Sequence, residues 1–169
     1  MLRFTTTRED DHIKTQEVVM PDALEFTMDK FKFDVPTDRY YTEEGLWVLP
    51  EEDDRVRIGL SDFVQQRSGD VAFAEIKPEG TTVGVDDEVA VIETIKVDIY
   101  FISPVAGEIV EVNPEMDMAP EVINQDPYGE GWLAVIEAAD WEADRERLLD
   151  AEGYFETMKQ EATEEANSL

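Results

Sequence analysis

Cysteine is absent from this sequence. Disulfides, thiolate metal sites and a cysteine nucleophile are thereby excluded. The absence also suits a protein that handles reactive sulfur, because it has no thiol of its own to be oxidised. Histidine is reduced to His12, in a polar N-terminal stretch, which leaves little for imidazole acid–base or metal chemistry. Basic residues are scarce: 14 Lys and Arg face 42 Asp and Glu, a formal net charge of -28. Such a surface repels DNA, RNA and anionic lipid, each of which needs positive charge opposite its phosphates. Nucleic acid and membrane are therefore set aside as partners, whereas a basic patch on a partner protein suits it. The same acidity serves solubility in a salty medium, where screening makes dense like charge tolerable. No apolar run approaches the ~20 residues that cross a bilayer. The first ten residues carry no hydrophobic stretch of signal-peptide type. A cytoplasmic location is the default expectation.

What is present suffices for one domain with a real core: 169 residues with an ordinary apolar share. Residues 1–28 are polar and mixed. They read as an N-terminal extension, with a frayed strand over 1–7 and a short helical turn over 21–28. From Phe31 the pattern changes. Phe31, Phe33 and Val35 alternate with Lys32 and Asp34, which predicts a half-buried strand. The main domain is expected over 29–160, followed by an acidic tail, 161–169, that frays.

Within the domain, short apolar runs are punctuated by turns. Strands are predicted at Leu46–Leu49, Arg55–Leu60, from Val71, at Val89–Ile95, Val97–Ile102, Glu108–Val112 and Trp132–Ile136. Ser61 is placed to cap a short helix, with Asp62 at its positive end and Ser68-Gly69-Asp70 closing it. A second short helix is predicted over Met118–Gln125, with Pro120 in its first turn. Beyond Ala138 the period becomes helical. Gly153 is expected to break one helix and Tyr154 to begin another. The sum is a β-rich α+β fold, a small barrel or sandwich with helices at the carboxyl end.

Lys96 is the unusual residue. The chain holds six lysines: Lys14, Lys30, Lys32, Lys77, Lys96 and Lys159. Five sit in polar or terminal contexts. Lys96 alone lies between two apolar strands, in Glu93-Thr94-Ile95-Lys96-Val97-Asp98. A tight hairpin there lifts the amine away from the sheet. By spacing alone the commoner reading is an edge lysine that discourages aggregation.

The wider pattern changes that balance. Glu93-Thr94-Ile95-Lys96 followed by Ser103-Pro104-Val105-Ala106-Gly107-Glu108-Ile109-Val110-Glu111-Val112-Asn113 resembles the lipoylation segment of the glycine cleavage H-protein family. Three more segments resemble that family in the same order. These are Ile58-Gly59-Leu60-Ser61-Asp62-Phe63 with Gly69-Asp70-Val71, Val122 to Leu133, and the carboxyl stretch with Leu148-Leu149-Asp150 and Tyr154. The resemblance runs from about Tyr41 to Tyr154. It implies a lipoyl-domain-like barrel-sandwich hybrid with short flanking helices and C-terminal helices. It implies lipoate in amide linkage to Lys96 on a hairpin. Glu93, Thr94, Ile95, Val97 and Asp98 would then be what a lipoate ligase or lipoyl-assembly enzyme reads. It further implies a monomeric, non-catalytic carrier with no metal, whose swinging arm shuttles covalently bound intermediates between partner enzymes.

Two departures stand out. The family usually reads Tyr-Thr-x-x-His-Glu-Trp-Val near the domain start; here Tyr41-Thr42-Glu43-Glu44-Gly45-Leu46-Trp47-Val48 stands. Four residues beyond the lipoyl lysine the plant-type pattern carries Asp; here Tyr100 stands. In the family those two carboxylates line the cleft that shelters the arm and its amine cargo, which is protonated near neutral pH. The expected arm cleft here is Glu44, Leu46 and Tyr100, with Glu44 or Asp98 as geometric substitutes for the missing charge. The loss points to a cargo that is not an amine. The resulting expectation is a sulfur carrier, a lipoate-binding protein working with a heterodisulfide-reductase-like complex in bacterial sulfur oxidation. The alternative is the glycine cleavage role, with glycine cleavage enzymes as partners and an aminomethyl group as cargo. Elsewhere, Glu51–Asp54 and Asp86–Glu88 read as solvated acidic turns, without calcium-loop spacing. Tyr128 and Trp132 read as core packing around a turn.

Overall fold

The computed structural model describes residues 2–9, 12–19 and 22–168, with side chains described from residue 22 onward. β1 (Leu2–Glu9) and β2 (His12–Val19) pair antiparallel, as do β3 (Ala23–Met28) and β4 (Phe31–Pro36). Then follow β5 (Tyr40–Tyr41), β6 (Leu46–Pro50), β7 (Arg55–Leu60), α1 (Asp62–Ser68), β8 (Val71–Ile76) and β9 (Thr82–Val83). β10 (Glu88–Thr94), β11 (Asp98–Ile102) and β12 (Gly107–Val112) come next. The chain continues with α2 (Glu115–Met118), α3 (Val122–Gln125), β13 (Ala134–Ala138), α4 (Trp141–Arg145) and α5 (Ala151–Asn167).

Two sheets build the domain. One runs β5-β6-β7-β13-β12-β9; the other runs β11-β10-β8. Both send apolar side chains into one core. Leu46, Val48, Ile58, Leu60, Ile109 and Ile136 come from the first, and Val89, Ile92 and Phe101 from the second. Burying each large aliphatic side chain stabilises the fold by about 1.5–3 kcal/mol. This is the β-rich barrel-sandwich architecture expected.

β6 faces two cores at once. Leu46 and Val48 point into the main core. Trp47, between them, points the other way into a second core with Tyr41, Phe33, Phe63, Tyr154 and Met158. That second core lies between the β3–β4 hairpin, α1 and α5. Tyr41 stacks on Tyr154 at 4.7 Å between ring centroids, and Phe33 meets Phe63 edge-on at 5.2 Å. Polar links fix the hairpin to α1. Asp62 Oδ2 accepts from Asp34 N (3.0 Å), and Tyr128 Oη donates to Asp34 O (2.6 Å) while accepting from Asp62 N (3.0 Å).

Four sequence expectations need correction. The turn of helix expected over 21–28 is strand β3, because Leu24, Phe26 and Met28 share one face and pair with Val35, Phe33 and Phe31. Asp29, at φ 55, turns the chain between the strands. The helix expected over Met118–Gln125 is two single turns, α2 and α3. Pro120 disfavours helical backbone in the residue before it, and Ala119 lies at φ -149. Gly153 does not break a helix; it sits in the first turn of α5, where Asp150 Oδ1 accepts its N–H at 2.7 Å. The segment expected to fray is helical through Asn167. Ala162 is buried there, and Arg67 pairs with Glu161 (3.1 Å) and Glu165 (3.4 Å).

Candidate functional site

The β10–β11 hairpin carries Lys96 at its tip. The register ends at Glu93 opposite Asp98. Thr94 then closes the turn. Its N–H and its hydroxyl both donate to Val97 O (2.9 Å each), and the same Oγ1 accepts from Lys96 N (3.2 Å) and Val97 N (3.0 Å). A threonine hydroxyl suits this work because it donates and accepts at once. Ile95, Lys96 and Val97 are left exposed, Ile95 at 74%. Apolar side chains in water at a tight turn are what a docking partner covers. Glu93, Thr94, Ile95, Val97 and Asp98 thus all surround Lys96.

The tip does not hang free. Ile95 N donates to Asp70 O (3.2 Å), which ties it to the loop after α1. That loop is pinned by Asn124 on α3. Its Oδ1 accepts from Val71 N (2.9 Å); its Nδ2 donates to Gly69 O and Gln65 Oε1 (3.0 Å each). Gly69, at φ 86, ends α1 and presents bare backbone to the lysine. A Cβ there would sit 3.5 Å from Lys96 Cε and 3.7 Å from Cδ. The lysine stem therefore has a shallow seat on its way to the tip.

Two grooves border this hairpin. The first, about 650 Å³, has Ile99 and Phe101 on one side, with Glu43 and Glu44 at its edge. Arg67 and the end of α5, with Glu161 and Glu164, form the opposite side. Burial, and next the Asp86 carboxylate, push the Glu44 carboxyl up from its ordinary range. The second groove, about 480 Å³, has Lys96 itself in its wall, with Phe31, Phe33, Phe63 and Ala162. Arg67, Glu165 and Ser168 border both.

The expected arm cleft assembles only in part. Glu44 lines the first groove. Leu46 does not: it is fully buried in the main core. Tyr100 is 59% exposed opposite Val91 on the outer face of its sheet and lines neither groove. Asp98 is exposed at the foot of the hairpin. Gly45, where the family usually has His, is structural. At φ 96, a Cβ there would lie 2.2 Å from Val64 Cγ2 and 3.0 Å from Tyr154 Oη. Tyr154 Oη is 2.8 Å from Ser61 Oγ, the cap of α1, and burial pushes the phenol up to about 12. Arg67, Asn124, Glu161 and Glu164 were not singled out as site residues from the sequence. Asn124 lay within a segment that resembled the family; the glutamates looked like tail.

A family model described as glycine cleavage H-protein matches residues 39–161. A glycine cleavage system H protein of Thermus thermophilus is 47% identical over 131 residues, covering 76% of this chain and 99% of the relative. A probable glycine cleavage system H protein of Natronomonas pharaonis is 45% identical over 122 residues, covering 72% and 94%. A crystal structure of a glycine cleavage system H protein from Mycobacterium marinum superposes with a TM-score of 0.63 at 31% identity. It covers 71% of this chain and 95% of that one. The chain therefore belongs to the glycine cleavage H-protein family, whose members are non-catalytic carriers of covalently attached lipoate that serve partner enzymes.

Proposed function

We propose that this chain is the H protein of a glycine cleavage system and that Lys96 Nζ holds its lipoyl group in amide linkage. The carrying observation is the place of Lys96, exposed at a hairpin tip whose turn is fixed by Thr94 and whose stem runs past the bare backbone of Gly69. The residues present fit the group: an accessible primary amine, unobstructed neighbours, and grooves bordered by Arg67. When bound, lipoate supplies a dithiolane whose sulfurs take up and hand on the cargo. The protein's own part is to hold the anchor, to offer the arm shelter, and to raise the local concentration of cargo at each partner by tethering.

The first groove favours an amine cargo over a sulfur cargo. Glu43, Glu44, Glu161, Glu164 and Glu165 gather there around Arg67 alone, and Arg67 is already paired with Glu161 and Glu165. A protonated amine gains charge-assisted hydrogen bonds in such a place, whereas anionic sulfur is repelled. The charge that Leu46 and Tyr100 fail to supply is thus supplied by other elements. Leu46 and Tyr100 therefore give no support to bacterial sulfur oxidation, and the relatives described are glycine cleavage H proteins. The partners that follow are a lipoate ligase or lipoyl-assembly enzyme and the glycine cleavage enzymes.

Intact mass after treatment with a lipoate ligase tests the anchor. One lipoyl group is expected on the native chain and none on Lys96→Arg. The loaded protein, mixed with glycine cleavage enzymes, is expected to support release of CO2 from glycine. A bare Lys96 overturns the carrier assignment; a loaded but inert protein overturns the cargo assignment alone.

A further inference from the structure

We propose that the second groove is a resting site for the uncharged lipoyl arm, walled in part by segments that lie outside residues 39–161, the span of the family-model match. The proposal rests on Lys96 being the lipoyl lysine. Its first support is where the walls come from. Met28, Phe31 and Phe33 precede residue 39, and Ala162 and Ala166 follow residue 161, so both flanks fall outside the family match. The β3–β4 hairpin and the last turns of α5 meet over Phe63 of α1 and leave a trough between them.

The second support is continuity with the anchor. Lys96 is part of the groove's lining, so an arm joined to it enters without crossing open water. Tethering removes most of the entropy cost that a free ligand would meet. The third is chemistry. The trough has an aromatic and methyl-lined floor, with Asp29, Gln66, Arg67, Glu165 and Ser168 among its polar lining. A dithiolane on a short hydrocarbon chain is apolar and polarizable, and sulfur packs favourably at aromatic edges. Phe31, with Lys30 Nζ 5.6 Å from its ring centroid, still leaves apolar surface open. It is 45% exposed while stacking on Phe33 at 6.3 Å, which leaves much of its ring facing the trough or water. The volume, about 480 Å³, lies in the range of small-ligand sites. The other groove is richer in carboxylates, with Glu43, Glu44, Glu161 and Glu164 besides the shared Glu165, and suits a charged amine better than a neutral hydrocarbon arm.

The test uses the full chain, with lipoylation first verified by intact mass. Methyl-labelled methionine and alanine report the groove by NMR. Lipoylation is expected to shift the Met28, Ala162 and Ala166 methyls and to leave those of Met116 and Ala134, in the main core, in place. After reduction, alkylation of the arm's thiols by a maleimide is expected to be slow. It should rise about three- to tenfold in Ala166→Glu and in Phe31→Ser. Both positions are exposed, so the fold is retained, as an unchanged thermal midpoint would verify. Complete lipoylation with no shift at Met28 and Ala166, and equal alkylation rates in all three proteins, overturns the groove assignment while leaving Lys96 as anchor. Failure of Lys96 to accept lipoate overturns both.

Discussion

Asn124 holds the β10–β11 hairpin in place without touching it, and replacing it with alanine measures that hold. The side chain makes three hydrogen bonds, to Val71 N, Gly69 O and Gln65 Oε1. Alanine removes all three and leaves a strand N–H and a helix-terminal carbonyl without their partner. Each bond contributes about 0.5–1.5 kcal/mol net, and stranded half-buried groups add to the loss, so Asn124→Ala should cost roughly 2–3 kcal/mol. For a domain of this size that lowers the thermal midpoint by roughly 5–10 °C. Urea denaturation gives the free energy, and native-state hydrogen exchange gives the location. The Val71 amide should lose protection first. The Ile95 amide, bonded to Asp70 O in the same loop, should follow. Asn124→Asp separates geometry from charge. It keeps the acceptor for Val71 N but turns a carboxylate toward Gly69 O and Gln65 Oε1, so it should be worse than alanine at neutral pH and recover in acid. A loss below about 0.5 kcal/mol with Val71 and Ile95 protection intact would refute the pinning role.

Other positions give simpler tests. Gly45→Ala forces a Cβ into Val64 at a left-handed backbone position and should destabilise by about 2–4 kcal/mol in urea titration; Gly45→His should be no milder. Leu46→Glu places a carboxylate in the main core rather than in a cleft. It should cost more than about 3 kcal/mol and bring no gain in glycine decarboxylation. Asp34 has a buried Oδ1 without a hydrogen-bond partner, and burial raises its carboxyl above the ordinary 3.8 despite Lys32 nearby. A carboxyl raised by folding favours the native state when protonated and loses that advantage as pH rises through its folded value. Asp34→Asn should therefore gain stability at pH 7, by less than about 1 kcal/mol because the side chain is partly solvated. The gain should vanish below pH 3.8, where both states of the native protein are protonated; thermal scans at the two pH values decide it.

The parts legible in the sequence were local. Val89 to Ile92 and Ile99 to Ile102 are apolar runs separated by a mostly polar stretch, Glu93 to Asp98, and such a stretch is a turn. Ser61 followed by Asp62 is a cap followed by a helix start, and the hydroxyl does accept from Val64 N. Strand β3 carries the same signal as β4, since Leu24, Phe26 and Met28 alternate with Glu25 and Thr27, and the helical expectation there goes against it; their partners come from β4 and α5. The inward direction of Leu46 is not legible in the sequence. Leu46, Trp47 and Val48 are all buried, since β6 is covered on both faces, and the usual alternation carries no outward mark. The acidic groove was least legible. Its carboxylates come from the β5–β6 connection and from α5, more than a hundred positions apart, and no periodicity links them.

The second core joins the earliest described strands with side chains to the final helix. Phe33 and Val35 leave the ribosome long before Tyr154, Met158 and Ala162 exist to receive them. Until then the β3–β4 hairpin has only α1, Tyr41, Trp47 and Tyr128 to lean on, so the β10–β11 hairpin and its supporting sheets complete their own core while this one is still open. Maturation of the chain thus has a built-in order, with Lys96 displayed before the groove beside it has both of its walls.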